Sequence, residues 1–163
     1  MVKTKIAVFI SGSGTNLQAL IDAQRDGILR NGRIVLVISS NSIAYGLKRA
    51  REAGIDAVAV TRRDSGSQEA FEAEILEKLE EYGIELIVLA GFLNILSEDF
   101  VKRYPGRIIN IHPSLIPSFC GKGYYGIRVH EAALDYGVKV TGATVHFVNE
   151  IPDGGRIIRQ KAV

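Results

Sequence analysis

Apolar and polar positions along the chain alternate between two periods. KIAVFI (Lys5–Ile10) is a continuous apolar run, as expected for a strand covered on both faces. SGSGTN follows, and LQALIDAQ then reads as a helix. IVLVISS (Ile34–Ser40) is the second strand, SIAYGLKRAREAG a helix closed by Gly54, and DAVAV a short strand. SQEAFEAEILEKLEEYG gives the clearest helical period: Phe71, Ile75, Leu79 and Tyr82 share a face, Ser65 or Ser67 caps the start, and Gly83 ends it. ELIVLAG and RIINI are a fourth and a fifth strand. Strands separated by helices predict an α/β fold: an open, mostly parallel, twisted sheet with helices on both faces and right-handed crossovers.

After Pro117 the pattern changes. SFCGKGYYG is a Gly-rich loop and IRVHEAALDYG a short helix. KVTGATVHFVNE alternates Val140, Val145 and Phe147 with polar residues, and IPDGG then turns into RIIRQKAV. Two strands around Pro-Asp-Gly-Gly predict a hairpin at the C-terminal end of the sheet. The chain ends on Lys161-Ala162-Val163 within a strand, so the expectation is a single domain, 1–163, that is C-terminally incomplete.

Composition narrows the class. A chain of 163 residues suits one domain, and folding at that size buries roughly 70% of the unfolded surface. Hydrophobic residues make up 47% and charged residues 23%, ordinary for a globular protein. The net charge of +2, with mixed signs and no basic run, argues against a nucleic-acid partner and leaves a phosphorylated small molecule open. One cysteine, Cys120, cannot form an internal disulfide. The first apolar run is too short for a secretory signal, and no run approaches the ~18 residues of a membrane span. These features predict a cytoplasmic protein without a membrane partner.

Candidate chemistry lies at three places. Gly12 and Gly14 let the backbone turn between strand and helix, and the helix start then offers free N–H groups to an anion, with Thr15 and Asn16 adding side-chain donors. A dinucleotide fingerprint is excluded because Leu17 stands at the third Gly position, and no Gly-Lys-Ser/Thr follows. The plainer reading is a tight turn; a phosphate monoester site is preferred. Asn110 and His112 are two apart at a strand end, so their side chains point the same way, toward the edge where α/β proteins place ligands. An amide and an imidazole there can stabilise an oxyanion, with Pro113 and Pro117 restricting the following backbone.

Asp153 in IPDGG reads by itself as a turn residue. It becomes catalytic if the hairpin brings it beside His112, where a carboxylate favours the imidazolium form. His146 reads as a cross-strand hydrogen-bonding residue, His130 as a surface residue and Cys120 as a neutral thiol. No spacing matches a metal site, so no metal is expected.

GSGTNLQAL, LAGFLNIL, NIHPSLIP, GATVHFV and IPDGG, in this order, resemble the phosphoribosylglycinamide formyltransferase family of purine biosynthesis, over essentially the whole chain. The resemblance implies direct formyl transfer from 10-formyltetrahydrofolate, as co-substrate, to the amine of phosphoribosylglycinamide. It implies Asn110, His112 and Asp153 as the catalytic trio, and Gly14, Thr15 and Asn16 as the loop holding the acceptor's phosphate. It implies Leu93, Asn94, Ile95 and Leu96 as a folate wall. Asn110, and the loop from Asn149 through Glu150, Ile151 and Pro152 to Asp153, would also meet the folate.

Asn94 and Gln68 stand where members often carry basic residues near the folate tail, which weakens the expectation of tight polyglutamate binding. Members also usually continue beyond RIIRQKAV. Partners are expected to be small molecules, with the protein a monomer or homodimer. The alternatives are another formyl-folate enzyme (a formyltetrahydrofolate hydrolase or a methionyl-tRNA formyltransferase core) and a truncated, binding-only form.

Overall fold

The opening apolar run becomes β1 (Thr4–Ile10), in which every side chain from Ile6 to Ile10 is buried. The computed structural model describes residues 2–163, which divide into two compact units, one running to Asn94 and one from Ile95 to Val163.

In the first unit, β1 leads into α1 (Thr15–Arg25), β2 (Gly32–Ser39), α2 (Tyr45–Glu52) and β3 (Asp56–Ala59). A four-residue helix α3 (Arg62–Ser65), α4 (Gln68–Tyr82) and β4 (Leu86–Leu89) complete it. Parallel pairing of β1 with β2 and β4, and of β2 with β3, gives the order β3-β2-β1-β4. Period-2 alternation divides the buried strand residues between two faces. Ile6, Val8, Ile10, Ile34 and Val37 cluster with Leu17 and Ile21 of α1 and Ala50 of α2. α4 packs against β2 and buries Phe71, Ile75 and Leu79 outside that cluster. Each such side chain contributes about 1.5–3 kcal/mol by leaving water. Ser67, not Ser65, caps α4, accepting from the Ala70 N–H at 3.0 Å. Tyr82 is only half-buried and donates its hydroxyl to Asp56 at 2.9 Å.

The second unit contains α5 (Glu98–Arg103), β5 (Ile108–His112), α6 (Ile127–Tyr136), β6 (Gly142–Phe147) and β7 (Ile157–Ala162). The strands run β5-β6-β7 with both pairings antiparallel, so the expected late hairpin is β6–β7. Strands joined in parallel through helices, followed by this antiparallel end, make the α/β class that the pattern predicts. Two short helices, α3 and α5, escape the sequence pattern because four and six residues hold too few repeats of a 3.6 period.

The alternation in β6 resolves with the polar set inside: Thr144 is at 0% exposure and His146 at 1%, whereas Val145 and Phe147 are only half-buried. Val140 precedes the strand and is 60% exposed. Among the described residues, no helix is long and apolar enough to cross a membrane.

Candidate active site

The end of β5 carries Asn110 and His112 on one face, and antiparallel pairing sets them opposite His146 and Thr144 of β6. Asn110 Nδ2 lies 3.1 Å from His146 Nε2. The other nitrogen of His146, Nδ1, lies 2.8 Å from the Phe147 carbonyl. A carbonyl only accepts, so Nδ1 carries the hydrogen, and Nε2 of the neutral ring accepts from the Asn110 amide. His112 is 4% exposed, and its Nε2–H donates to the Phe119 carbonyl at 2.8 Å. Its Nδ1 faces Asp153.

Asp153 places one carboxylate between the two rings. Oδ2 is 3.6 Å from His112 Nδ1, and Oδ1 is 3.6 Å from His146 Nε2. Both separations are longer than a hydrogen bond and become charge attraction when the ring concerned is protonated. The Gly121 N–H donates to Oδ2 at 2.8 Å. Burial pushes the Asp153 carboxyl upward, but the pairing with His146, the Gly121 N–H and the attraction of both histidines outweigh it, and its pKa lies below the ordinary value. For His146 burial disfavours the charge. Asp153 and the Phe147 carbonyl more than offset that, and its pKa is raised.

The backbone around this cluster is pinned by side chains as well as by prolines. Thr144 Oγ1 donates to the Ser114 carbonyl at 2.7 Å and accepts from the Ile116 N–H at 3.1 Å. Gln160 of β7 donates to Thr144 Oγ1 at 3.0 Å and to the Ile116 carbonyl at 2.9 Å. Ser114 Oγ donates to the Ser118 carbonyl at 2.6 Å. Asp153 itself adopts φ 55, left-handed backbone that is uncommon outside glycine. Gly155 lets the hairpin close: a Cβ there would stand 1.7 Å from the Phe147 carbonyl oxygen.

In the first unit, the loop before α1 is built from backbone. Gly14 has φ 72, and a Cβ on it would lie 2.7 Å from Gly46 Cα, so the turn and the approach of α2 both require glycine. The Gly46 N–H donates to the Gly12 carbonyl at 3.1 Å. No side chain caps α1, and its first turn holds no acidic residue. Thr15 and Asn16 are exposed there, beside N–H groups that have no partner within the helix.

Other expected positions are distributed unevenly. Leu93 and Ile95 are 59% and 70% exposed, and Asn94 is half-buried, but Leu96 is buried. Gln68 opens α4 and donates to Glu72 at 2.6 Å. Asn149 Oδ1 accepts from the Ile151 N–H at 3.0 Å, and Glu150, Ile151 and Pro152 are exposed. His130 is exposed. The Cys120 thiol donates weakly to the Pro117 carbonyl at 3.4 Å, and burial and Asp153 push it up, toward the neutral form. The sequence reading gave His146 its cross-strand bond but not its place beside Asp153. The signal was its position opposite Asn110 once β5 and β6 pair.

A family model described as formyl transferase matches residues 4–163. The trifunctional purine biosynthetic protein adenosine-3 of Gallus gallus is 47% identical over 161 residues, covering 99% of this chain and 16% of that protein. The phosphoribosylglycinamide formyltransferase of Escherichia coli strain K12 is 42% identical, covering 97% of this chain and 72% of that protein. In fold, the crystal structure of glycinamide ribonucleotide transformylase 1 from Symbiobacterium toebii matches with a TM-score of 0.91 at 46% identity, covering 99% of this chain and 73% of that one. The chain thus spans less than a fifth of the trifunctional relative and nearly three quarters of the Escherichia coli and Symbiobacterium toebii proteins.

Proposed function

The chain belongs to the formyl transferase family, and on that premise we propose that it transfers a formyl group from 10-formyltetrahydrofolate to the amine of phosphoribosylglycinamide. The observation that carries the reading is the half-buried carboxylate of Asp153, 3.6 Å from each of two buried imidazoles, with the Asn110 amide paired to one of them.

In this mechanism the amine nitrogen attacks the formyl carbon, and negative charge develops on the formyl oxygen. One Asn110 N–H is directed at His146, and the other is left for the oxyanion. His112, held by the Phe119 carbonyl, offers Nδ1 on the Asp153 side as an imidazolium donor. The tetrahedral centre then collapses. The bond from carbon to folate N10 breaks, and N10 takes up the proton that the amine gives away, relayed through Asp153 and water. His146 keeps the Asn110 amide oriented. Preorganised donors of this kind are worth roughly 10²–10³ in rate each, and holding both substrates together supplies much of the remainder.

The same proposal assigns Gly14, Thr15 and Asn16 to the acceptor's phosphate, through N–H groups at the start of α1. It assigns Leu93, Asn94 and Ile95, with the Asn149–Asp153 loop, to the folate. Leu96 supports that wall from inside, since it is buried. No metal enters the scheme. A cytoplasmic setting, one formyltransferase domain and a monomeric or homodimeric state belong to the proposal.

The test is a deformylation assay with 10-formyl-5,8-dideazafolate, with and without phosphoribosylglycinamide, followed by absorbance. Turnover that depends on the acceptor supports the transferase. Formate release without acceptor would make the protein a hydrolase, and no turnover by folded protein would make it a binding-only form.

A further inference from the structure

Arg49 lies on α2, outside every motif that carries the functional reading, yet it is tied to the SGSGTN loop at two points. Its Nε donates to the Ser13 carbonyl at 2.9 Å, and its Nη1 donates to Gln18 Oε1 at 3.0 Å. The guanidinium lies over the Tyr45 ring, 4.9 Å from its centroid, and is half-buried. Its aliphatic stem runs beside the loop, with Cδ 3.6 Å from where a Cβ on Gly14 would stand. The backbone reinforces the same contact through the Gly46 N–H to the Gly12 carbonyl and the close passage of Gly14 and Gly46.

We infer that Arg49 is the positioning residue of the phosphate loop. It sets affinity for the phosphorylated acceptor without taking part in formyl transfer, and the inference rests on the reading that this loop holds a phosphate.

The start of α1 is left open to a ligand. No side chain caps it and no carboxylate stands in its first turn. The N–H groups therefore stay available to an anion, and no capping side chain braces them. A planar guanidinium with a rigid fork of donors can brace them. One arm holds the carbonyl immediately before Gly14. The other holds a side chain one turn into the helix. Between them they tie the Ser13 peptide and the Gln18 side chain to α2, on either side of the helix start, and the Tyr45 ring limits rotation of the fork. The cation also adds positive potential beside the loop, where a dianionic phosphate gains from it. Lysine has a single ammonium and cannot make both contacts in one plane.

The experiment compares Arg49→Met and Arg49→Lys with the parent in the formyl-transfer assay, using phosphoribosylglycinamide and its dephosphorylated riboside as acceptors. Binding of inorganic phosphate is read in parallel from amide shifts of Thr15 and Asn16. Arg49→Met is expected to raise the KM of the phosphorylated acceptor about tenfold, equivalent to about 1.4 kcal/mol. kcat and the KM for formyl-folate should stay within about twofold, and the riboside should be unaffected. Arg49→Lys should fall between the two, since it keeps charge and loses the fork. An unchanged KM in both variants, or an equal loss on phosphorylated and unphosphorylated acceptors, overturns the inference. Thr15→Ala/Asn16→Ala provides the separation: if it leaves phosphate shifts and KM untouched, the loop reading itself fails. If it weakens both while the Arg49 variants do not, only the role of Arg49 fails. Should Arg49→Met not fold, Gln18→Leu removes one arm of the clamp and is expected to raise the same KM about threefold.

Discussion

The loop before α1 and the cluster at the end of β5 are built from opposite materials. In the loop, the groups offered to a ligand are backbone N–H groups, and the residues that shape them are Gly14 and Gly46, which have no side chain to titrate. In the cluster, the groups are side chains: Asn110, His112, His146 and Asp153, two of them with shifted pKa values. A backbone cradle holds charge at any pH and cannot move a proton. Buried imidazoles around a carboxylate can move one, at the cost of desolvating several polar groups. The difference teaches that binding and chemistry should be separable by mutation.

The largest separation is expected from His112→Ala. Turnover should fall at least 10²-fold, while affinity for a phosphate ligand stays within a few-fold. Near-normal turnover in that variant would remove the catalytic assignment.

Gly155→Ala attacks the cluster through its frame. The new Cβ meets the Phe147 carbonyl oxygen at 1.7 Å, and β6 and the Asp153 turn must shift apart. A stability loss of about 3 kcal/mol is expected, read by denaturant titration, together with lower kcat. An unchanged unfolding midpoint would contradict this packing. Gly14→Ala is the counterpart in the loop, combining a left-handed φ with a 2.7 Å approach to Gly46. It should cost about 1–3 kcal/mol and raise the acceptor KM, leaving kcat of the saturated enzyme nearly intact. A kcat loss with KM unchanged would erase the contrast between the two regions.

The pH dependence of stability sharpens the comparison further. Asp153 titrates below its ordinary value of 3.8 in the folded state, so its contribution is complete above 3.8 and is lost as pH falls through the folded value. His146 titrates above 6.5 when folded; its contribution is complete below 6.5 and is lost as pH rises through the raised value. Asp153→Asn should flatten both limbs of the stability–pH curve, whereas Gly14→Ala should lower the curve evenly. An Asp153→Asn curve parallel to the parent would show that the carboxylate and imidazoles are uncoupled.

The smallest effect is expected from Cys120→Ser. The thiol is held toward its neutral form, and turnover should stay within about twofold of the parent. Rapid inactivation by a thiol-alkylating reagent at neutral pH would show a thiolate instead.

What the sequence determined by itself was local. Apolar runs and the 3.6 period marked β1, β2, β4, β5 and α4, because a strand covered on both faces and an amphipathic helix each leave a repeat that one segment carries complete. The two-residue spacing of Asn110 and His112 fixed their common face, and Gly12 and Gly14 signalled a backbone turn. Tertiary structure decided which polar residues lost their water. Thr144 and His146 alternate with Val145 and Phe147, and nothing local tells which set faces inward; pairing of β6 between β5 and β7 buried the polar set. The same pairing put Asp153 between His112 and His146, and the seat of α2 brought Arg49 to the loop. Those placements join residues distant in sequence, so they depend on strand register and helix docking, which no single segment encodes.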